Sequence, residues 1–239
     1  MVSLLSTELL KLKRSSMFLI SILGAAVAPF VVVVATYVHE PATPFKELFY
    51  NVNLYTVLII GVPLYGVVTS YLFNREYTEN TLKNILTTPV SRVSFIMSKT
   101  LLLFMWIMML TVTAWGITLV LGVLTQFNGL NISVLTESLK QFSIGGLLLF
   151  ILSSPIILLT LVMKNYVPTI IFTVVITLIN VMGGNSEHRA LFPWAAAGDI
   201  ANNTLPLTYP PEYSYIGITA TALIGFTAMI VYFKKVDIH

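Results

Sequence analysis

Apolar runs long enough to cross a lipid bilayer dominate this sequence and restrict the folds open to it. A membrane-spanning helix needs roughly 17–25 mostly apolar residues, and backbone polar groups in lipid are satisfied only in helices and closed barrels. Charged residues make up 10% of the chain, whereas soluble domains carry about 25%. We therefore predict an all-α, polytopic membrane protein that forms one transmembrane domain over residues 1–239. The six predicted spans are 17–38, 54–73, 100–124, 142–162, 167–182 and 215–233.

Lysine and arginine residues beside the runs predict which side of the membrane each loop faces, because cytoplasmic loops carry an excess of these residues. Most of the 13 basic residues flank the two termini and the loop 74–99. We therefore predict that both termini and this loop are cytoplasmic, and that the segment 183–214 is extracellular. The cytoplasmic set is Lys11, Lys13, Arg14, Arg75, Lys83, Arg92, Lys99, Lys164, Lys234 and Lys235, and the other set is Lys46, Lys140 and Arg189.

Residues 1–16 mix leucines with charged residues and end in a basic stretch from Lys11 to Arg14. This pattern is typical of an amphipathic helix lying in the membrane interface, so we predict an interfacial helix that leads into the first span. The alternative is a signal peptide cleaved near Ala28. The apolar run continues to Val38, which favours the interfacial helix.

The longest polar interruption with a helical pattern is the loop 74–99. In a helix over 75–87, apolar and charged residues fall on different faces. Thr88 and Pro89 then provide an N-cap and a first-turn proline for a second helix that continues into span three. A short amphipathic helix fits either a groove on a partner protein or the lipid headgroups, and the residues leave both interpretations open. The apolar face carries Thr78, Leu82, Ile85 and Leu86; the charged face carries Glu76, Glu79, Lys83 and Thr87; the second helix carries Arg92 and Lys99.

The six runs as drawn contain no ionisable residue, which argues against proton coupling, since such transporters keep ionisable groups inside the membrane. The sequence has no phosphate-binding Gly-x-x-x-x-Gly-Lys-Ser/Thr motif, no His-Glu-x-x-His and no Gly-x-Ser-x-Gly. We therefore expect no catalytic site, no metal and no cofactor. The net charge of +3 forms no basic patch, so we expect no nucleic-acid partner. A transport-like bundle of this kind is either passive or driven by another subunit.

The segment 183–214 contains an apolar stretch, 190–201, that is suited to dip into the outer leaflet. A tryptophan within it fits the headgroup zone. A re-entrant hairpin and an ordinary surface loop are both open interpretations. The candidate residues for a substrate path or an outer gate are Trp106, Trp115, Phe192 and Trp194.

The loop also resembles the inner loop of permease subunits from ATP-binding-cassette exporters of the drug and polysaccharide type. The residues that carry the resemblance are Arg75-Glu76, Thr81-Leu82, Ile85-Leu86 and Thr88-Pro89-Val90-Ser91-Arg92, with Asn80 where the family often has glycine. The small size and the segment Leu191–Trp194 are similar to bacitracin- and lantibiotic-resistance permeases.

The resemblance implies a membrane-spanning subunit of an ATP-driven exporter, paired with a second permease chain and with subunits that bind and hydrolyse ATP. This chain would then not be an enzyme, and its cargo would be amphipathic or peptide-antibiotic-like. The alternative is a membrane-embedded immunity protein that sequesters a peptide without ATP. The residues expected to couple to the ATP-binding subunit are Arg75, Glu76, Glu79, Thr81, Leu82, Ile85, Leu86, Pro89 and Arg92.

Overall fold

The computed structural model describes residues 2–13, 15–40, 42–78 and 91–235, and within these ranges it is helical with no β-strand. A π-helical turn, Thr56–Ile60, joins the helices Phe45–Tyr55 and Gly61–Thr78, and a 3-10 turn, Arg189–Leu191, precedes the helix Pro193–Asn202. The α-helices are α1 (Val2–Lys13), α2 (Ser16–His39), α3 (Phe45–Tyr55), α4 (Gly61–Thr78), α5 (Arg92–Leu124), α6 (Ile132–Ile151), α7 (Ser154–Met163), α8 (Tyr166–Met182), α9 (Pro193–Asn202) and α10 (Pro211–Lys235).

Five stretches of helix are long and apolar enough to cross a membrane, and each contains one predicted span. The prediction of an all-helical membrane protein is thus confirmed for the residues described. The predicted span 167–182 lies in α8, which has 17 residues. At about 1.5 Å per residue this helix is roughly 25 Å long, which is short for a hydrocarbon layer of about 30 Å. The five stretches are Ser16–His39, Phe45–Thr78, Arg92–Leu124, Ile132–Met163 and Pro211–Lys235.

The π-helical turn interrupts the second of these stretches and binds it to α8. The Gly61 N–H donates to the Thr56 carbonyl, one residue further back than in an α-helix. The side chain of Asn180 in α8, which is buried, donates to the Leu58 carbonyl of this turn, with Nδ2 3.0 Å from the oxygen. A buried side-chain amide therefore joins α8 to the π-helical turn.

Two apolar clusters fill the bundle. The larger cluster lies among α4, α5, α7 and α10 and includes Phe73, Trp106 and Phe233. The smaller cluster is built around Phe45 and Phe142. We call the end where α4 finishes and α5 starts the loop end, because the loop 79–90 leaves from it, and we call the other the opposite end.

Helix α9 packs inside the bundle from the opposite end and is almost wholly buried. The Trp194 ring meets the Phe172 ring edge-on at 6.5 Å, and Phe172 lies ten residues, or about 15 Å, from the end of α8. A Cβ added at Gly198 would lie only 2.7 Å from Leu58 Cδ2, so the backbone of α9 touches this side chain. The chain from 183 to 202 therefore turns back into the bundle as far as the π-helical turn.

Candidate functional site

Four charged side chains from three helices meet at the loop end. Glu8 and Lys11 come from α1, Glu76 from the last turn of α4 and Lys99 from the third turn of α5. Two carboxylates and two ammonium groups give the group no net charge. We refer to these four residues as the charge cluster.

Lys99 is the centre of the charge cluster and is 1% exposed. Its Nζ lies 2.7 Å from Glu76 Oε2 and 3.3 Å from Glu8 Oε2. The same nitrogen donates a 2.7 Å hydrogen bond to the Leu72 carbonyl and lies 5.4 Å from the centre of the Phe95 ring. Moving an ammonium out of water costs several kcal/mol unless it is well paired. Partners from three directions supply that pairing.

Glu76 is 2% exposed, and its contacts within the charge cluster are ion pairs rather than well-aligned hydrogen bonds. Neither of its carboxylate oxygens has a hydrogen bond of good geometry within the described residues. Besides Lys99, it has Lys11 Nζ at 3.6 Å. Removing Lys99 would therefore leave a buried carboxylate with one distant cation, which is a costly arrangement.

The pair on α1 closes the charge cluster on its more exposed side. Lys11 Nζ donates a 2.7 Å hydrogen bond to Glu8 Oε1. Burial alone would raise the pKa of Glu8, but the charge of Lys99, with help from Lys11, holds that pKa below its ordinary value. For Lys11, burial disfavours the charged form, yet the hydrogen bond and charge of Glu8 raise its pKa above the ordinary value. Both groups therefore remain charged across the neutral range.

A second, uncharged set of contacts joins α2 to α4 and α5 deeper in the bundle. The Ser15 hydroxyl and the Tyr71 hydroxyl lie 2.7 Å apart, and the Tyr71 ring meets the Trp106 ring edge-on. Trp106 Nε1 donates to Ser21 Oγ at 3.1 Å. The start of α2 is thereby bound to α4 and α5, next to the charge cluster.

Three residues expected to couple to a partner lie within the described ranges. Glu76 belongs to the charge cluster, and the Arg75 guanidinium lies 5.9 Å from the centre of the Tyr71 ring. Arg92 Nη1 donates to the Lys234 carbonyl at 3.3 Å, which joins α5 to the end of α10. The other six, Glu79, Thr81, Leu82, Ile85, Leu86 and Pro89, lie outside the described residues.

The helix boundaries around the loop differ from those predicted. Residues 75–78 are the end of α4, so they continue the helix of span two and do not begin a separate one. The helix that leads into span three begins at Arg92, and Ser91 caps it by accepting from the Ser94 N–H at 3.1 Å. The predicted cap, Thr88, and first-turn residue, Pro89, lie outside the described residues.

The four candidate aromatic residues lie in three places. Trp106 is buried in the larger cluster as described above. Trp115 stacks on Phe49 in the smaller cluster, and its Nε1 donates to Ser138 Oγ at 2.9 Å. Phe192 and Trp194 lie together at the start of α9, with ring centres 5.6 Å apart. The structure thus brings together only the pair from α9.

Sequence reasoning missed the charge cluster because it treated each charge as a loop flank. One signal was present in α1. Leu5, Glu8 and Leu12 follow one another at spacings of three and four, so Glu8 occupies the apolar face of an amphipathic helix. An acidic residue on such a face indicates a buried cationic partner.

Comparison with known proteins supports the resemblance found in the loop. The family model described as ABC-2 family transporter protein matches residues 4–180. The chain belongs to the ABC-2 transporter family. The match extends from α1 to α8 and includes all four residues of the charge cluster.

The sequence is also similar to that of the bacitracin transport permease protein BCRB of Bacillus licheniformis. It is 60% identical over 195 residues, which cover 82% of this chain and 94% of the relative. This ABC-2 chain is accordingly a multi-pass plasma-membrane permease and not the ATP-hydrolysing subunit.

Proposed function

We propose that this ABC-2 permease is the membrane-spanning half of an ATP-driven exporter whose cargo is an amphipathic, peptide-antibiotic-like molecule. The cargo class rests on the name of the relative, which refers to bacitracin transport. Energy would come from a separate ATP-binding subunit, and a second permease chain would complete the assembly. The observation that carries the proposal is the charge cluster, which joins α1 to both helices that flank the loop 79–90.

The proposed topology has six spans, with both termini and the loop 79–90 in the cytoplasm. Supporting it are the distribution of lysine and arginine and the position of α1 beside the loop end. Helix α8 would be the fifth of the six crossings and the shortest. Helix α9 would be re-entrant, which its burial and its contact with Phe172 support.

The charge cluster suggests how motion of the ATP-binding subunit would reach the spans. A push on the loop 79–90 acts on its two ends, Thr78 and Ser91. Glu76, two residues before the first end, is paired with Lys99, two turns after the second. Because Glu8 is bound to the same ammonium, α1 would move together with the ends of α4 and α5.

Within this mechanism the loop residues and the charge cluster have different roles. We propose that Arg75, Arg92 and the six loop residues contact the ATP-binding subunit. Glu76, which is buried, would act as a positioning residue through Lys99. The pair Phe192 and Trp194 is the proposed outer gate, and Trp106 and Trp115 remain predictions for the substrate path.

Reconstitution with the ATP-binding subunit tests the proposal. Replacing Leu82 and Ile85 together by alanine, or Glu76→Gln alone, is expected to abolish cargo-stimulated ATP hydrolysis while the chain still inserts. Glu212→Gln is the matched control, because Glu212 lies in the first turn of α10, away from the loop end. Unchanged stimulation in the loop variants would count against the proposal.

Co-purification separates the exporter from an immunity protein that works without ATP. In mild detergent the exporter retains an ATP-binding subunit. Its consistent absence, together with peptide binding by the isolated chain, would instead favour sequestration.

A further inference from the structure

A single arginine binds the end of α8 to the buried helix α9. Arg189 Nη1 donates a 2.7 Å hydrogen bond to the carbonyl of Gly184, just after the end of α8. Its Nη2 donates at 2.6 Å to Oδ1 of Asp199, which lies in the second turn of α9 and is 2% exposed. An ionised carboxylate is costly to bury unless it is paired and hydrogen-bonded. The charge of Asp199 inside the bundle therefore depends on Arg189.

The ion pair uses one carboxylate oxygen. The Thr204 hydroxyl lies 3.4 Å from the same Oδ1, whereas Oδ2 of Asp199 and Nε of Arg189 have no hydrogen-bond partner within the described residues. Arginine pairs most strongly with a carboxylate through two parallel hydrogen bonds. A pair held by one such bond resists separation less, so it suits a contact that opens and closes.

The buried face of α9 consists mostly of small side chains, namely four alanines and one glycine. Burial of apolar area contributes about 25 cal/mol per Å², so side chains this small lose little when the helix moves. A cavity of about 180 Å³ lies between the end of α8 and the start of α9, with Arg189, Phe192 and Ala195 among its lining residues. Folded interiors contain few voids larger than a water molecule. The cavity therefore leaves room for the start of α9 to shift.

We propose that the ion pair between Arg189 and Asp199 is a latch that holds α9 inside the bundle and opens as cargo leaves at the opposite end. When the arginine moves away, Asp199 is left as a buried charge without its cation, which favours movement of α9 towards water. Phe192 and Trp194, the proposed outer gate, lie at the start of α9 and would move with it. The inference rests on the proposed function for that gate and adds the positioning residues that keep it closed.

Thiol labelling of the permease alone in nanodiscs tests whether the ion pair holds α9. The chain has no cysteine, so Ala196→Cys places a single thiol at a fully buried position of α9. Adding Arg189→Gln is expected to raise the rate of labelling by a charged maleimide roughly tenfold or more, since loss of one partner of a buried ion pair is costly. Lys46→Gln is the matched control, because it removes the cation of an exposed ion pair, and it should leave the labelling rate unchanged.

A double variant separates the latch from an ordinary packing contact. Arg189→Gln together with Asp199→Asn removes both charges, so no buried carboxylate drives α9 outwards. Because replacing both members of a buried ion pair by neutral groups is often close to neutral, its labelling rate should fall to within about threefold of that of Ala196→Cys alone. The thermal unfolding midpoint of each variant shows whether the rest of the bundle is kept.

Labelling in the complete exporter tests whether the latch opens during transport. We expect the labelling rate of Ala196→Cys to rise several-fold during cargo-stimulated ATP hydrolysis and to return to its initial value without cargo. With Arg189→Gln added, the latch is already open, so the rate should be equally fast with and without cargo.

Equal labelling rates in Arg189→Gln and Lys46→Gln would overturn the proposed latch. So would a double variant that is labelled as fast as Arg189→Gln, or an unchanged rate during cargo-stimulated hydrolysis. If the variants of the isolated permease behave as expected but cargo does not stimulate ATP hydrolysis, the ion pair still holds α9 and the exporter function fails. The two proposals are therefore tested separately.

Discussion

Neutralising Lys99 should be the most damaging single change at the loop end. Lys99→Met keeps the length of the side chain and removes its charge, which leaves Glu76 buried with Lys11 at 3.6 Å as its remaining cation. Removing one partner of a buried ion pair costs about 3–5 kcal/mol. For a chain of this length, 1 kcal/mol shifts the unfolding midpoint by about 2–4 °C, so we expect a decrease of roughly 6–20 °C.

A double-mutant cycle tests the reason for that cost. Lys99→Met with Glu76→Gln removes both charges and leaves Glu8 paired with Lys11 at 2.7 Å. The double variant should therefore be more stable than Lys99→Met alone, with an interaction energy of about 1–3 kcal/mol. The assay is thermal unfolding of the purified chain in nanodiscs. Lys46→Met is the control, because the side chains of Lys46 and its partner Glu137 are 68% and 43% exposed. An ion pair so exposed contributes only about 0–1 kcal/mol to stability. Additive single effects, or equal losses at Lys99 and Lys46, would refute the reasoning.

Three further predictions concern α1, the π-helical turn and α9. The pKa of Glu8 in the folded protein lies below its ordinary value of 4.5. The charged carboxylate therefore stabilises the fold above pH 4.5, and this contribution is lost as the pH falls through the folded pKa. The unfolding midpoint of Glu8→Gln should accordingly decrease less on acidification than that of the unaltered protein. Asn180→Leu leaves the Leu58 carbonyl without its 3.0 Å donor, and should cost about 1–3 kcal/mol in the same scans; no loss would contradict the role given to this amide. Gly198→Leu adds a Cβ against Leu58 and should displace α9, so that a cysteine at the buried Ala197 reacts with an impermeant thiol reagent only in that variant.

Hydropathy was sufficient to predict five long helices, because the length of an apolar run is a local property of the chain. The helix bounds extend beyond the runs: α5 begins at Arg92, eight residues before the predicted span, since Arg92 bonds to the end of α10 and Lys99 pairs with α1 and α4 rather than facing water. The burial of α9 was one of two open interpretations, because apolar content alone does not distinguish a dipping segment from a surface loop.

The charge cluster and the bond from Asn180 to the Leu58 carbonyl could not be predicted in the same way. Lys99 and Glu8 lie 91 positions apart, and Asn180 and Leu58 lie 122 positions apart, so both features depend on how the helices pack. Lys99 has the appearance of an ordinary flanking charge until α1 and α4 are placed beside it. The bond to the Leu58 carbonyl likewise becomes visible only once α8 is packed against the π-helical turn.

We propose that the charge cluster transmits motion from the ATP-binding subunit to the spans. Its most direct test is cargo-stimulated ATP hydrolysis by the complete exporter in proteoliposomes, with Lys99→Met compared with Lys46→Met at a temperature below both unfolding midpoints. We expect Lys99→Met to retain the ATP-binding subunit and basal hydrolysis but to lose stimulation by cargo, whereas Lys46→Met should keep that stimulation. Full stimulation in a folded, assembled Lys99→Met exporter would contradict the claim.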